Sequence, residues 1–320
     1  MSTIPRLGYL CLFDNPSAED GRALTRQFVL VREADRMGYD DIWIGEHHFD
    51  SQWPSAAIIA LLGHLSAVTT KARIGTLPLV PGLHDPVRLA EDIATLDLLS
   101  KGRLNLGVGS GAAFAPALAR WGIDAAQASA RLRGTLEQAQ ALLAGPPGDG
   151  ALAPRPQQSP LPIWLATSQP EHAADAARLG WGLAAAASHT AAHWQALLAA
   201  YRAANGPSDP RLVLARFACT AASAQAAQAI ARPYLEAFAQ RARAAGWGAD
   251  PARSMACDVD ALLAQSLIGS HQEVADRMAA LGAQGVASVA IIPTSAQFDT
   301  AKHILADFVD EVRPLLTDGG

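Results

Sequence analysis

The chain has little cysteine, no long apolar run and no cluster of like charge, and each shortage excludes a class of protein. Its three cysteines, Cys11, Cys219 and Cys257, are odd in number and far apart, so they form neither a disulfide framework nor the paired spacing of a zinc site. A reducing cytoplasm is the expected setting. No apolar stretch approaches the roughly 20 residues that cross a bilayer, and Met1 to Leu12 lacks the basic start and apolar run of a secretory signal. Neither membrane insertion nor secretion is expected. The 25 basic and 30 acidic side chains nearly cancel, without a Lys/Arg cluster, so the electrostatic footprint of a nucleic-acid-binding protein is missing. A repeat of solenoid period is missing too.

What is present is 320 residues, 50% of them hydrophobic, which is ample for a large core and matches the size of one α/β barrel. Short apolar runs alternate with longer amphipathic stretches, as in repeated βα units. The pattern predicts strands at Arg6 to Leu12, Asp41 to Gly45, Ala72 to Leu79 and Arg103 to Gly107, with helices Gly21 to Met37, Pro54 to Thr69 and Pro86 to Leu99 between them. The stretch Gly145 to Pro162, rich in proline and glycine, excludes regular structure and crosses the surface. Beyond it come strands Ile163 to Ala166, Leu183 to Ala187 and Leu212 to Cys219, and helices Pro170 to Leu179 and Ala191 to Asn205. An alanine-rich helical region, about 221–268, interrupts the rhythm before a Ser270 to Glu273 capping box, a strand Val286 to Ile292 and a helix Phe298 to Leu316. Eight parallel strands close more naturally as a TIM (β/α)8 barrel than they spread as an open sheet. The expected fold is one α/β barrel domain over residues 1–320, with a helical insertion after the seventh strand.

In such a barrel the chemistry sits at the C-terminal strand ends. Gly45-Glu46-His47-His48-Phe49 follows the second strand, and strand alternation predicts that only one of His47 and His48 faces the mouth while the other packs outward. The other reading is a hydrogen-bonded structural histidine, which suits His48 better than His47. Adjacent histidines are a poor metal pair, no HExxH spacing occurs, and no metal is expected. Gly107-Val108-Gly109-Ser110-Gly111 allows close backbone approach to a ligand or is simply a glycine-rich turn. It lacks the spacing and the following acidic residue of a dinucleotide fingerprint. Thr167-Ser168-Gln169-Pro170 opens a helix, where hydroxyls and free N–H groups suit phosphate or an ordinary N-cap.

Together, Gly38 to Phe49, Arg73 to Thr76, His84 to Asp92, Leu96 to Gly109 and Gly269 to Pro293 resemble the bacterial luciferase-like superfamily of flavin-dependent oxidoreductases along nearly the whole chain. The resemblance implies a monooxygenase that uses reduced, dissociable FMN and O2 to oxidise a small organic substrate. A separate NAD(P)H:flavin reductase would supply the flavin, since no nicotinamide-binding fingerprint is evident. Deazaflavin-dependent hydride transfer and a non-catalytic flavin-binding subunit are the alternatives on the same fold. By position, His47 matches the family's catalytic histidine and Glu46 the acidic residue beside the flavin ring. Thr76 and Leu77 match its ring-contacting strand end, with a cis peptide at Leu77-Pro78, and Thr167 and Ser168 fall where the flavin phosphate is gripped. Gly109 and Ser110 stand where luciferase itself has a reactive cysteine and a phosphate-binding arginine. The resemblance also implies a homodimer built on the helices Pro54 to Thr69 and Pro86 to Leu99; the Leu89, Ile93, Leu96 stripe suits that interface or the barrel side equally.

Overall fold

The computed structural model describes residues 4–146, 148, 150–204 and 211–316; Asn205, the predicted end of one helix, and Pro147 and Asp149 lie outside this range. The strands are β1 (Arg6–Cys11), β2 (Asp41–Ile44), β3 (Arg73–Leu79), β4 (Leu104–Gly109), β5 (Ile163–Ala166), β6 (Gly182–Ala185), β7 (Leu212–Ala221), β8 (Leu267–Ser270) and β9 (Val286–Pro293). The helices are α1 (Asp20–Met37), α2 (Ile58–Val68), α3 (Pro86–Leu99), α4 (Ala115–Arg120), α5 (Ala128–Ala144), α6 (Pro170–Arg178), α7 (Ala191–Ala203), α8 (Ala224–Ala244), α9 (Val259–Gln265), α10 (His271–Ala283) and α11 (Phe298–Asp307).

Strands β1 to β7 pair in chain order, and β9 pairs in parallel with both β7 and β1, closing eight strands into a TIM barrel. Strands β2, β4 and β7 are buried almost throughout, as a parallel sheet covered on both faces requires. The expected insertion contains α8 and α9 but is not wholly helical. It runs into a ninth strand, β8, which pairs with Ala218 to Ala221 of β7 outside the closed ring. The cause is the length of β7, which runs past its pairing with β6 at Leu212 to Leu214 and would otherwise leave edge N–H and C=O groups unpaired. The capping box at Ser270 and Glu273 then opens α10.

Around the barrel, α1 buries Ala23, Gln27, Leu30, Val31 and Ala34 and stops at Gly38, which takes φ 90°. Helix α3 turns Leu89, Ile93 and Leu96 inward, at 0%, 1% and 4% exposure, so that stripe packs on the barrel and leaves Val87, Leu98 and Leu99 outside. Helix α2 begins at Ile58 rather than Pro54, because Trp53 and Ser55 are drawn onto the end of β2. Helices α4 and α5 fill the span before Gly145, where no element is predicted. The segment after them contains no regular element among its described residues, yet it does more than cross the surface. Gln158 donates its backbone N–H and its side-chain amide to the buried Asp97 carboxylate, both at 2.7 Å.

Asp35, near the end of α1, is 3% exposed and accepts the backbone N–H groups of Thr70, Lys71 and Ala72 at 2.7–2.9 Å, plus the Thr70 hydroxyl. Burial opposes its ionisation, but these donors outweigh burial and hold its pKa below the ordinary carboxylate value. Its stabilising contribution is therefore present above the unfolded value near pH 4 and lost as pH falls through the lower folded value. Asp35→Asn, which faces an amide against backbone donors, is expected to cost about 2–4 kcal/mol at neutral pH. Denaturant titration should show that deficit shrinking below about pH 4; a deficit constant with pH would show that the charge is not what matters.

Candidate active site

The strand ends carry two cavities that share Gly111 and Phe114 as walls. The smaller, about 30 Å³, is bounded by Glu46, His47, His48, Val80 and Trp121. Its organiser is the Glu46 carboxylate, whose side chain is only 1% exposed. One oxygen lies 2.8 Å from His48 Nε2 and 3.1 Å from His84 Nε2, and the other accepts the Val80 N–H at 2.6 Å. Burial pushes its pKa up, but the hydrogen bonds from His48, His84 and Val80 prevail and keep it below the ordinary value. Both oxygens are thus committed inside the protein. His48, expected to pack outward, instead turns back onto Glu46 and meets the Trp121 ring at 5.4 Å. Strand β2 ends at Ile44, so strand alternation no longer governs the histidines.

His47 places Nδ1 3.1 Å from the Ser55 hydroxyl, with its ring against Trp53 at 4.8 Å and Phe114 at 5.8 Å. A Cβ on Gly45 would lie 3.0 Å from that ring, so glycine provides the room. Burial pushes the His47 pKa down to about 4, despite the nearby acids Asp50 and Glu46. The imidazole is neutral near pH 7. Trp53 in turn donates Nε1–H to Asp14 at 2.9 Å, and Asp14 also accepts the Tyr234 hydroxyl of α8 at 3.1 Å. Burial pushes Asp14 up to about 6, against those two hydrogen bonds. Arg241 of α8 lies 3.9 Å over the Trp53 ring and pairs with Asp50 at 2.6 Å. The insertion therefore clamps the loop that carries His47.

The larger cavity, about 430 Å³, gathers Gly109, Ser110, Thr167 and Ser168 with Pro78, which follows a cis Leu77–Pro78 peptide. A Cβ on Gly109 would meet Pro78 Cγ at 2.8 Å. Thr167 Oγ1 accepts the Gln169 N–H at 3.0 Å, and α6 begins there with Pro170 at its first position and first-turn N–H groups without intrahelical acceptors. Three of the residues matched to cofactor contact are not on this wall, and of these Glu46 lines only the smaller cavity. Thr76 is fully buried and donates its hydroxyl to the Gly107 carbonyl at 2.7 Å, and Leu77 turns into the barrel core.

Several lining residues carry no sequence prediction. Arg133 reaches the cavity from the exposed side of α5 and makes no ion pair among the described residues. Ser188 and His189 come from the loop after β6, and Trp247, Asp250 and Arg253 from the insertion. The polar spacing Ser129, Arg133, Glu137, Gln140 was available as a signal, since it marks one face of a helix.

Residues 5–288 match the family model described as luciferase-like monooxygenase. The chain is 27% identical over 319 residues to the oxygenase component of flavin-dependent trigonelline monooxygenase of Acinetobacter baylyi, covering 90% of this chain and 89% of that protein. It is 32% identical over 184 residues to the uncharacterized protein y4wF of Sinorhizobium fredii, a match spanning 52% of this chain and about half, 53%, of its relative. The oxygenating constituent of 3,6-diketocamphane monooxygenase of Pseudomonas putida, solved in complex with FMN, shares the fold with a TM-score of 0.79 at 18% identity over 99% of this chain and 100% of that one. With the closed barrel, the strand-end histidines and the match along most of its length, the chain belongs to the luciferase-like monooxygenase family.

Proposed function

We propose that the protein is the oxygenase component of a two-component monooxygenase, taking reduced FMN from a separate NAD(P)H:flavin reductase in the cytoplasm and using O2 to oxidise a small organic substrate. The observation that carries this reading is the donor set on one part of the larger cavity's wall. The Ser110, Thr167 and Ser168 hydroxyls, the free N–H groups opening α6 and the unpaired Arg133 guanidinium fit a phosphate. Arg133 offers from α5 the positive charge that the end of β4 lacks. A volume of about 430 Å³ lies in the ordinary range for cofactor pockets. Bound there, reduced flavin supplies the electrons that activate O2. The chain's residues bind its phosphate, wall it with Pro78 and Phe114, and present a neutral imidazole across Phe114 from His47. Glu46 holds the surrounding loops by its three hydrogen bonds. The missing arginine at Ser110 favours a second reading, deazaflavin-dependent hydride transfer, which enzyme-dependent formation of an oxygenated product from reduced FMN and O2 would exclude. The exposed Val87, Leu98 and Leu99 on α3 suit a homodimer contact.

Ser168→Ala and Arg133→Ala should each weaken reduced FMN by about ten- to hundredfold, the worth of a charge-assisted hydrogen bond, and leave riboflavin affinity unchanged. Anaerobic titration checks this, and equal loss for both flavins would remove the two side chains from the phosphate.

His47→Gln should keep flavin affinity and melting temperature while losing roughly 10²–10⁴-fold in substrate oxidation. Because burial holds His47 at about 4, the native pH profile should show no step from it between about pH 5 and 8. A step near pH 6.5 that vanishes in the variant would overturn the neutral role.

A further inference from the structure

The part of the larger cavity wall formed by the loop after β6 and by the insertion is built differently from the part that carries Arg133. Ser188 and His189 from the loop after β6 face Trp247, Asp250 and Arg253 of the insertion, with Phe114 alongside. His189 is 5% exposed, and its Nδ1 is buried without a hydrogen-bond partner. The same is true of Trp247 Nε1, and of Nε2 of His193, whose ring packs 4.5 Å from that of His189. A buried polar atom left unpaired costs about 1–3 kcal/mol, and such atoms are few in any protein. Two of these atoms, His189 Nδ1 and Trp247 Nε1, belong to residues of the cavity wall, a place where a ligand can supply the missing partners.

The charges there cancel. Arg253 Nε donates to Asp250 at 2.7 Å, and the guanidinium leans over the Trp247 ring at 5.7 Å. His189 is held neutral, its pKa pushed down to about 3 by burial first and by His193, Arg216 and Arg253 next. Phe114 and Phe238 meet the edges of Trp247 at 6.0 and 6.2 Å. The wall is thus aromatic and able to hydrogen-bond, but without net charge. A carboxylate would meet Asp250 and find Arg253 already paired with it. An aliphatic aldehyde has a single acceptor and no flat face for the rings.

We propose that this part of the cavity binds the organic substrate, and that the substrate is an uncharged, planar aromatic compound bearing a hydroxyl on its ring, with His189 and Trp247 as its hydrogen-bond partners. The assignment rests on the monooxygenase reading of the same cavity, but binding is measured here without flavin. Naphthol, naphthalene and naphthoate are titrated against the native protein at neutral pH, by calorimetry and by tryptophan fluorescence. Naphthol should bind at least about tenfold more tightly than either of the others, the worth of one to two hydrogen bonds. In His189→Phe, which keeps a ring but loses both nitrogens, the preference for naphthol over naphthalene should fall to within about threefold, and Trp247→Phe should reduce it likewise. Equal binding of naphthol and naphthalene by the native protein, tighter binding of naphthoate, or a full preference kept in His189→Phe would each overturn the assignment. The first two outcomes need no variant to fold. Loss of FMN binding in Arg133→Ala with the naphthol preference intact would separate the cofactor part of the wall from this one.

Discussion

A carboxylate buried to 1% exposure at the barrel mouth must be satisfied on both oxygens or its burial becomes costly, and that requirement arranges everything around Glu46. Its partners arrive from three places in the chain: His48 from its own loop, the Val80 N–H from just after β3, and His84 from the turn before α3. Satisfying one anion therefore ties the end of β2 to the end of β3 and to the entry of α3. The small cavity and the position of His47 follow from this tie. Removing any one donor would leave a buried charge short of partners, so the cost would exceed what a single hydrogen bond contributes when formed.

The histidines at the mouth show how burial selects protonation states. His47 and His189 are both pushed low, to about 4 and about 3, chiefly by desolvation, whereas Asp14 is pushed up to about 6 by the same cause acting on an acid. Burial thus favours the neutral form of the two histidines, whereas hydrogen bonds keep Glu46 ionised, and Arg216 remains as a buried cation, donating to the carbonyls of Ala186, Ala215 and His189. A wall of neutral polar groups recognises ligands by direction of hydrogen bonding rather than by charge. That favours discrimination between similar uncharged compounds, because each mismatch leaves a protein atom unpaired.

Most of the barrel is legible in the sequence because parallel strands covered on both faces read as continuous apolar runs, and their helices begin and end on Asp85, Pro170, Gly38 and Ser270. What is not legible arises where a local rule stops applying. His48 defeats alternation because the strand has already ended at Ile44. Thr76 obeys strand geometry, yet its hydroxyl is taken by the neighbouring strand's carbonyl at Gly107. Strand β8 depends on how far β7 outruns β6, a tertiary fact with no local signal. His189 and Trp247 meet only through the insertion folding over the mouth, across some sixty residues of sequence, and nothing in either local pattern announces that.

The departure at the end of β4 carries the most instructive consequence. A motif records where relatives place a charge, but binding an anion depends on where that charge ends up in space. The long, flexible stem of an arginine can deliver a guanidinium to one point from several backbone positions. In this chain Ser110 gives up the strand-end position, and Arg133 enters the same cavity from α5 without an ion pair among the described residues. A helix position differs in one respect. The side chain approaches from outside the barrel and keeps more freedom until a ligand orders it, so part of the binding energy would be lost as side-chain entropy. On the proposed reading, that loss favours a flavin that is bound and released in each cycle over one held permanently, as a protein fed by a separate reductase requires.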